Sequence, residues 1–589
     1  MAGLGQTNWV RQIVFSFLCG IALVSCSGGG GGTLNVYVSI FLANDPCDPF
    51  TSSDQLFFSV RGRGIETDSA QLLPDDFTDP VVLADVPLGY DRTISLTGLE
   101  DADPSFDFHP WRVSYGAVGP LDILAGSQLN PGFLFRCVTF LPTAPYVRSN
   151  GVTGFSKNFS VAGASSGGQS VEGFALADIV VGNPGVTPSA VLFFGDSSQN
   201  PPTPFATSAT LPLPPGGADA TFGTSVDGGC DFNGDNLSDL VVGEPGTSSV
   251  HLYIVVDQVP VLVTPPSPLQ LPTVEANAEF GATIKFIGDF NGDRYCDLLV
   301  SAPRADVNLD SDAGRSFIFL GSAGGFSADS IIELTLGATD RTANEQFGAI
   351  VAAGGDLNGD GFDDLTIGRP FKSVNGQAFA GEIVIYFGRP ATGGEILPSA
   401  TLYAPSGEKA NENFGSVMTI NGDVNGDGRS DLVVGFPDDI NEVTTDVKTG
   451  GRVLVYLGRI ASINASPDLQ LLAEDFFVDF AIVNPEQVRF GQAVSISGDR
   501  NGDGLSDLLI GFADGDPDNN GSTSGRAELL YATGQVGLFD PADGTAFATP
   551  DAAWTDFGES IQLSPDVTGD SFADIVVGVD DVDQGFVVY

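Results

Sequence analysis

Six short stretches of this chain place oxygen-bearing side chains at loop positions 1, 3, 5 and 9. The clearest is Asp423, Asn425, Asp427 and Asp431, with Gly426 and Gly428 where the backbone must turn tightly. The pattern recurs as Asp231/Asn233/Asp235/Asp239, Asp289/Asn291/Asp293/Asp297, Asp356/Asn358/Asp360/Asp364 and Asp499/Asn501/Asp503/Asp507. A sixth copy, Asp566/Thr568/Asp570/Asp574, has a hydroxyl in place of the amide, which weakens it. Three carboxylates and one neutral oxygen, with a backbone carbonyl between, suit a hard cation that takes roughly six to eight oxygens at loose geometry, which points to Ca2+. One copy alone would read equally well as a solvated turn, because Asp, Asn and Gly cluster in turns. Fixed register argues otherwise: Phe222, Phe280, Phe347, Phe414, Phe490 and Phe557 each begin a Phe-Gly pair nine residues before the first aspartate.

Other chemistries find less support. A serine or cysteine hydrolase needs a base beside its nucleophile, and the chain has only His109 and His251. Six cysteines without a CxxC pair do not make a zinc site. Cys19 and Cys26 fall in a leader; Cys47 and Cys137 share the N-terminal region and fit either a disulfide or two core thiols; Cys230 and Cys296 belong to different repeats and are not expected to pair. Acidic pairs such as Asp363/Asp364 and Asp438/Asp439 could serve carboxylate-only catalysis, but one partner in each is already a loop ligand or a turn residue. The formal charge of −51 repels nucleic acid and anionic lipid.

The elements that must hold these loops follow in chain order. Residues 1–26 read as an export signal, with Arg11 ahead of an apolar run too short to span a bilayer comfortably. The run ends in Leu23-Val24-Ser25-Cys26, which resembles the bacterial lipobox; that resemblance implies a diacylated Cys26 as the mature N-terminus, membrane contact through the lipid anchor only, and a place at the outer membrane or cell surface. Residues 27–32 form a Gly-rich tether. From 33 to 150 short alternating runs separated by Gly, Pro and Asp predict a small β-sandwich. From 151 to 589 a period of roughly 60 to 75 residues accommodates four strands per unit. Seven units result, and the first lacks a competent loop because Ser170, Glu172 and Phe174 stand where ligands should be.

Within each unit the order is a Phe-Gly strand, the loop, a buried strand ending near Gly-x-Pro, and two further strands. Gly243-Glu244-Pro245, Gly368-Arg369-Pro370 and Gly435-Phe436-Pro437 show the second strand's end. This resembles the FG-GAP repeat of integrin α-subunit propellers and related bacterial surface proteins. The resemblance implies an all-β fold, a seven-bladed β-propeller with Ca2+ in the hairpin loops between first and second strands. The last unit ends at its third strand, so a segment before Phe159 should complete it, with residues 133–140 the candidate. Function then reads as a calcium-stabilised surface adhesion protein recognising an extracellular protein or polysaccharide through the face opposite the loops. A propeller enzyme acting on a glycan through carboxylates, or a purely structural envelope protein, are the alternatives.

Overall fold

The computed structural model describes strand backbones between residues 33 and 162, and residues 177–195, 208–578 and 586–588 apart from short intervals. Of the intervals left out, those that bear on the site are 235–236, 438–449, 502–504, 513–524, 566 and 568–572. Among the described residues the regular structure is β-strand, with one short 3-10 turn at Pro245–Thr247, and no helix is long and apolar enough to cross a membrane. Thr33–Leu42 pairs in parallel with Gly132–Cys137 and antiparallel with Val81–Pro87, within a seven-stranded sheet.

Beyond residue 159 the strands form successive small sheets. The second sheet is typical: Ser225–Cys230, Asp239–Glu244, Ser249–Val256 and Val259–Leu262 pair antiparallel in chain order. The same order holds for the sheets beginning at Phe159, Thr283, Ile350, Val417 and Ala493. Gly394–Ile396, from the connection inside the fourth sheet, adds in parallel to Ile331–Leu334 and covers the outer edge of the third. Exposed strand edges invite further pairing, so this cover has a protective effect.

Each second strand reads as an unbroken apolar run because both of its faces are covered. Asp239–Glu244, Asp297–Ala302 and Asp364–Arg369 are buried at every position. Successive side chains of a strand point to opposite faces. Val241 accordingly packs with Phe280 and Val300 of the following sheet, whereas Leu240 and Val242 pack with Val180 and Leu192 of the preceding one. Each such side chain contributes about 1.5–3 kcal/mol on burial. The alternation continues through every junction to the last sheet, where Val576 and Val588 pack with Ile179 and Phe193 of the first. Sheets joined in this order, first to last and back again, fit a β-propeller.

The Phe-Gly and Gly-x-Pro motifs meet at these junctions. All six phenylalanines of the Phe-Gly pairs are fully buried. Gly415, left-handed at φ 89°, carries its carbonyl against Gly368 of the preceding sheet, where any Cβ would collide with it. The last sheet takes its fourth strand from the N-terminal side: Tyr146–Arg148 pairs antiparallel with Phe586–Val588. The expectation that residues 133–140 would do so is corrected, since Gly132–Cys137 is held in the N-terminal sheet between Trp111–Ile123 and Thr33–Leu42.

Candidate functional site

The loops lie at one edge of successive sheets, each joining a first strand to a second. Three of them are described throughout and have one architecture built around the first aspartate. In the loop starting at Asp356, Oδ1 accepts from the N–H of Gly359 (2.7 Å) and Asp360 (3.1 Å), and Oδ2 from Gly361 (2.7 Å). Asp423 accepts from Gly426, Asp427 and Gly428 in the same way, and Asp289 from Gly292, Asp293 and Arg294. Arg294 is left-handed at φ 76°, at the position where the other two loops have glycine, so the hydrogen-bonded loop imposes that conformation on it.

The third and fifth positions are tied to each other. Asn358 Oδ1 accepts from the Asp360 N–H at 2.8 Å, and Asn358 Nδ2 donates to Asp360 Oδ2 at 3.0 Å. The Asn291/Asp293 and Asn425/Asp427 pairs repeat this arrangement. In the first loop Asp231 Oδ1 accepts from Asn233 and Gly234, and Asn233 Nδ2 lies 3.3 Å from Asp239 Oδ2.

The sequence pattern treats the third positions as equivalent ligands, and here the structure differs. Asn501 is only 3% exposed and Asn358 6%, whereas Asn233, Asn291 and Asn425 are half-buried. A buried amide is tolerated where it has polar partners. Asn501 and Asn358 are thus the most enclosed of the third-position residues. Asp235, Asp503, Asp566, Thr568 and Asp570 lie outside the described residues, as does Cys26.

The ninth position has a second role that its spacing did not reveal. Asp239, Asp297, Asp364, Asp431, Asp507 and Asp574 are all fully buried. Each accepts through Oδ2 from the N–H of loop position 2, for instance Val424 to Asp431 at 2.8 Å and Val567 to Asp574 at 2.7 Å. Asp297, Asp364, Asp431 and Asp507 also accept through Oδ1 from the N–H two residues past the third strand: Gly321, Gly388, Gly458 and Ala532. Asp178, the equivalent residue in the unit without a competent loop, keeps this bond with Gly195 at 2.9 Å. The ninth aspartate therefore fastens the loop to the sheet, whether or not a ligand set surrounds it.

Among the described residues no group of three Asp, Glu, His or Cys side chains forms a ready metal cluster, because the first and ninth carboxylates are turned onto backbone donors. They still share one electrostatic neighbourhood. Burial above all pushes Asp297 up to about 8, with the charges of Asp293 and Asp289 adding to it against donation from Gly321 and Phe290. Asp364 is likewise pushed up to about 8 by burial, with Asp356 and Asp360 contributing, and Asp431 well above its ordinary range by burial, with Asp423 and Asp427 contributing. Carboxylates that resist ionisation together are the setting a divalent cation relieves. The donor set is all oxygen, so the residues present fit Ca2+. In the loop at Asp423 part of that charge is already met by Arg429, 2.9 Å from Asp427.

Two segments, residues 222–253 and 347–386, match the FG-GAP repeat. The chain is 30% identical over 256 residues to integrin alpha-5 of Xenopus laevis, covering 43% of this chain and 22% of that protein. It is 33% identical over 161 residues to integrin alpha-IIb of Mus musculus (26% of this chain, 14% of that protein) and 30% identical over 237 residues to integrin alpha-V of Gallus gallus (38% and 21%). The chain thus carries FG-GAP repeats and is integrin alpha-like over the matched residues, while spanning less than a quarter of the length of these relatives.

One further expectation is overturned by geometry. Cys230 and Cys296 are disulfide-bonded, with Cα atoms 5.9 Å apart, contrary to the expectation that different repeats would keep them apart. Successive sheets set equivalent loops side by side, so a large sequence separation is a short distance here. Of the acidic pairs, Asp363 accepts from the Asp289 N–H and Asp364 from Leu357 and Gly388, so both carboxylates serve the backbone; Asp438 and Asp439 lie outside the described residues. His251 is buried against Glu244, 2.9 Å from Nε2, while His109 is also outside them.

Proposed function

We propose that this chain is a calcium-stabilised binding protein of the cell surface, a seven-bladed β-propeller behind a small β-sandwich module. Ca2+ occupies the loops at Asp231, Asp289, Asp356, Asp423, Asp499 and Asp566, and Cys26 carries a lipid anchor. The observation that carries this reading is one all-oxygen loop recurring at the same corner of successive sheets, in a chain similar to integrin alpha chains. The loops serve as fasteners, which leaves recognition to the opposite edge, where the second-to-third strand connections emerge. There Leu309 is fully exposed, and Phe371 and Phe379, 40% and 45% exposed, meet edge to face at 6.3 Å. Apolar side chains on such loops suit an extracellular protein, or the apolar faces of sugar rings in a polysaccharide.

The test is retention of extracellular-matrix proteins and surface polysaccharides on the immobilised protein, with and without calcium, with reducing ends assayed in parallel. Calcium-dependent retention without new reducing ends is expected. Release of reducing ends would replace binding by glycan cleavage as the function. For the anchor, Cys26→Ala should move the protein into the soluble fraction; continued membrane association would place the attachment elsewhere.

A further inference from the structure

The loops are not independent along the ring. The carbonyl of five of the first aspartates accepts from the N–H at position 8 of the next loop: Asp231 from Cys296, Asp289 from Asp363, Asp356 from Ser430, Asp423 from Ser506 and Asp499 from Ala573, all between 2.8 and 3.2 Å. At two junctions the position-8 side chain answers with a second bond. Asp363 Oδ2 accepts from the Asp289 N–H at 2.7 Å, and Ser506 Oγ from the Asp423 N–H at 3.0 Å. The backbone of a first ligand is then held on both sides by one residue of the neighbouring loop. Asp363 is buried, and Gly288 leaves room for its carboxylate, since a Cβ there would strike Asp363 Oδ2. At the first junction the same two positions, the one before the first aspartate and position 8, are Cys230 and Cys296, and a covalent bond replaces the side-chain hydrogen bond.

We infer that Asp363, Ser506 and the Cys230–Cys296 disulfide are positioning groups that make metal binding in one loop depend on the structure of the next. This rests on the calcium reading of the loops. A metal that orders the loop at Asp356 sets Asp363, and Asp363 fixes Asp289 in the loop before it; linkage makes the effect reciprocal. At the junction at Asp499 position 8 is Ala573, whose side chain offers no acceptor, and Arg500 donates to the Ala573 carbonyl at 3.1 Å instead.

The test uses the full chain and terbium, an oxygen-seeking probe of calcium loops. The ring of Tyr295 lies against Gly234 of the loop at Asp231, and that of Phe362 against Gly292 of the loop at Asp289, so Phe362→Trp in a Tyr295→Phe background places the sensitiser at the loop in question. Asp363→Ala should weaken terbium binding at that loop about tenfold, through loss of a buried charge-assisted bond. Asp363→Asn, which keeps an oxygen acceptor, should restore it. Unchanged affinity in Asp363→Ala, or equal loss in Asp363→Asn, overturns the inference while leaving the calcium reading intact. No terbium luminescence from the Phe362→Trp protein with Asp363 intact overturns both. Should Asp363→Ala fail to fold, Ser506→Ala carries the test: in calcium, hydrogen exchange should quicken in residues 423–431, and no change there overturns the coupling.

Discussion

Comparing Asp431→Ala with Asp178→Ala separates the two roles of the ninth aspartate. Removing the Asp431 carboxylate leaves the N–H groups of Val424 and Gly458 without their buried acceptor, at about 1–3 kcal/mol each. On the proposed reading it also removes a calcium ligand. With dissociation constants near 10⁻⁴ M, typical of extracellular modules, a site at about 1 mM calcium contributes about 1.4 kcal/mol. Asp178→Ala leaves the Gly195 N–H orphaned in a unit with no ligand set, so it should cost about 1–3 kcal/mol whatever the calcium. Calorimetry in saturating calcium and in excess chelator reads both, at roughly 1 °C per kcal/mol for a unit of this size. The deficit of Asp431→Ala should shrink by about 1 °C in chelator without vanishing, and that of Asp178→Ala should not change. A calcium-dependent deficit for Asp178→Ala, or a harmless Asp431→Ala in chelator, would refute the division of labour.

Three further outcomes follow from other parts of the structure. Asp297 and Asp364 ionise only near 8 in the metal-free fold but at ordinary carboxylate pH when unfolded, so the folded state holds the extra protons between those limits. Stability of the calcium-free protein should therefore fall from about pH 4 to pH 8, and saturating calcium should abolish or reverse that trend in melting temperature; a metal-free protein steadier at pH 8 than at pH 5 would contradict it. Cys296→Ser should destabilise by about 4 kcal/mol, the loop-closure value for a separation of 66 residues, read by denaturant titration, with no change in midpoint as the contrary result. Replacing Tyr146–Arg148 by a Gly-Ser segment should bare the edge of Phe586–Val588, so that light scattering rises on mild heating; a variant as soluble and stable as the parent would show that the last sheet needs no such partner.

Much of this architecture is written in local pattern. The second strands are apolar without a break because two faces are covered, and the ligand offsets hold because each loop is wound around its own first aspartate. What escaped reading lies between units. The Cys230–Cys296 bond and the Asp289–Asp363 hydrogen bond join residues 66 and 74 positions apart, and no periodicity inside one unit points to them. A signal was nonetheless available: the residue before the first aspartate is glycine at 288, 355, 422 and 498 and proline at 565, and the remaining one, Cys230, faces the only cysteine at position 8. The closing strand was foreseen from the missing fourth strand, but Tyr146–Arg148 is too short for its composition to outcompete the more apolar residues 133–140. Arg369 was legible only as the variable residue of Gly-x-Pro. In the fold it is fully buried, 2.5 Å from Glu345 and 2.9 Å from Asp340, and paired also with Glu382; only partners brought in from elsewhere permit a charge there.

The central claim is that calcium holds the repeat region together, and thermal unfolding of the full chain across a calcium titration tests it most directly. Six sites at about 1.4 kcal/mol each sum to roughly 8 kcal/mol at about 1 mM calcium, comparable with the whole stability of an ordinary domain. The melting temperature should rise with the logarithm of free calcium and drop by several degrees in excess chelator, with the repeat region becoming open to protease. A melting curve unmoved by chelator would mean that these loops are metal-free turns.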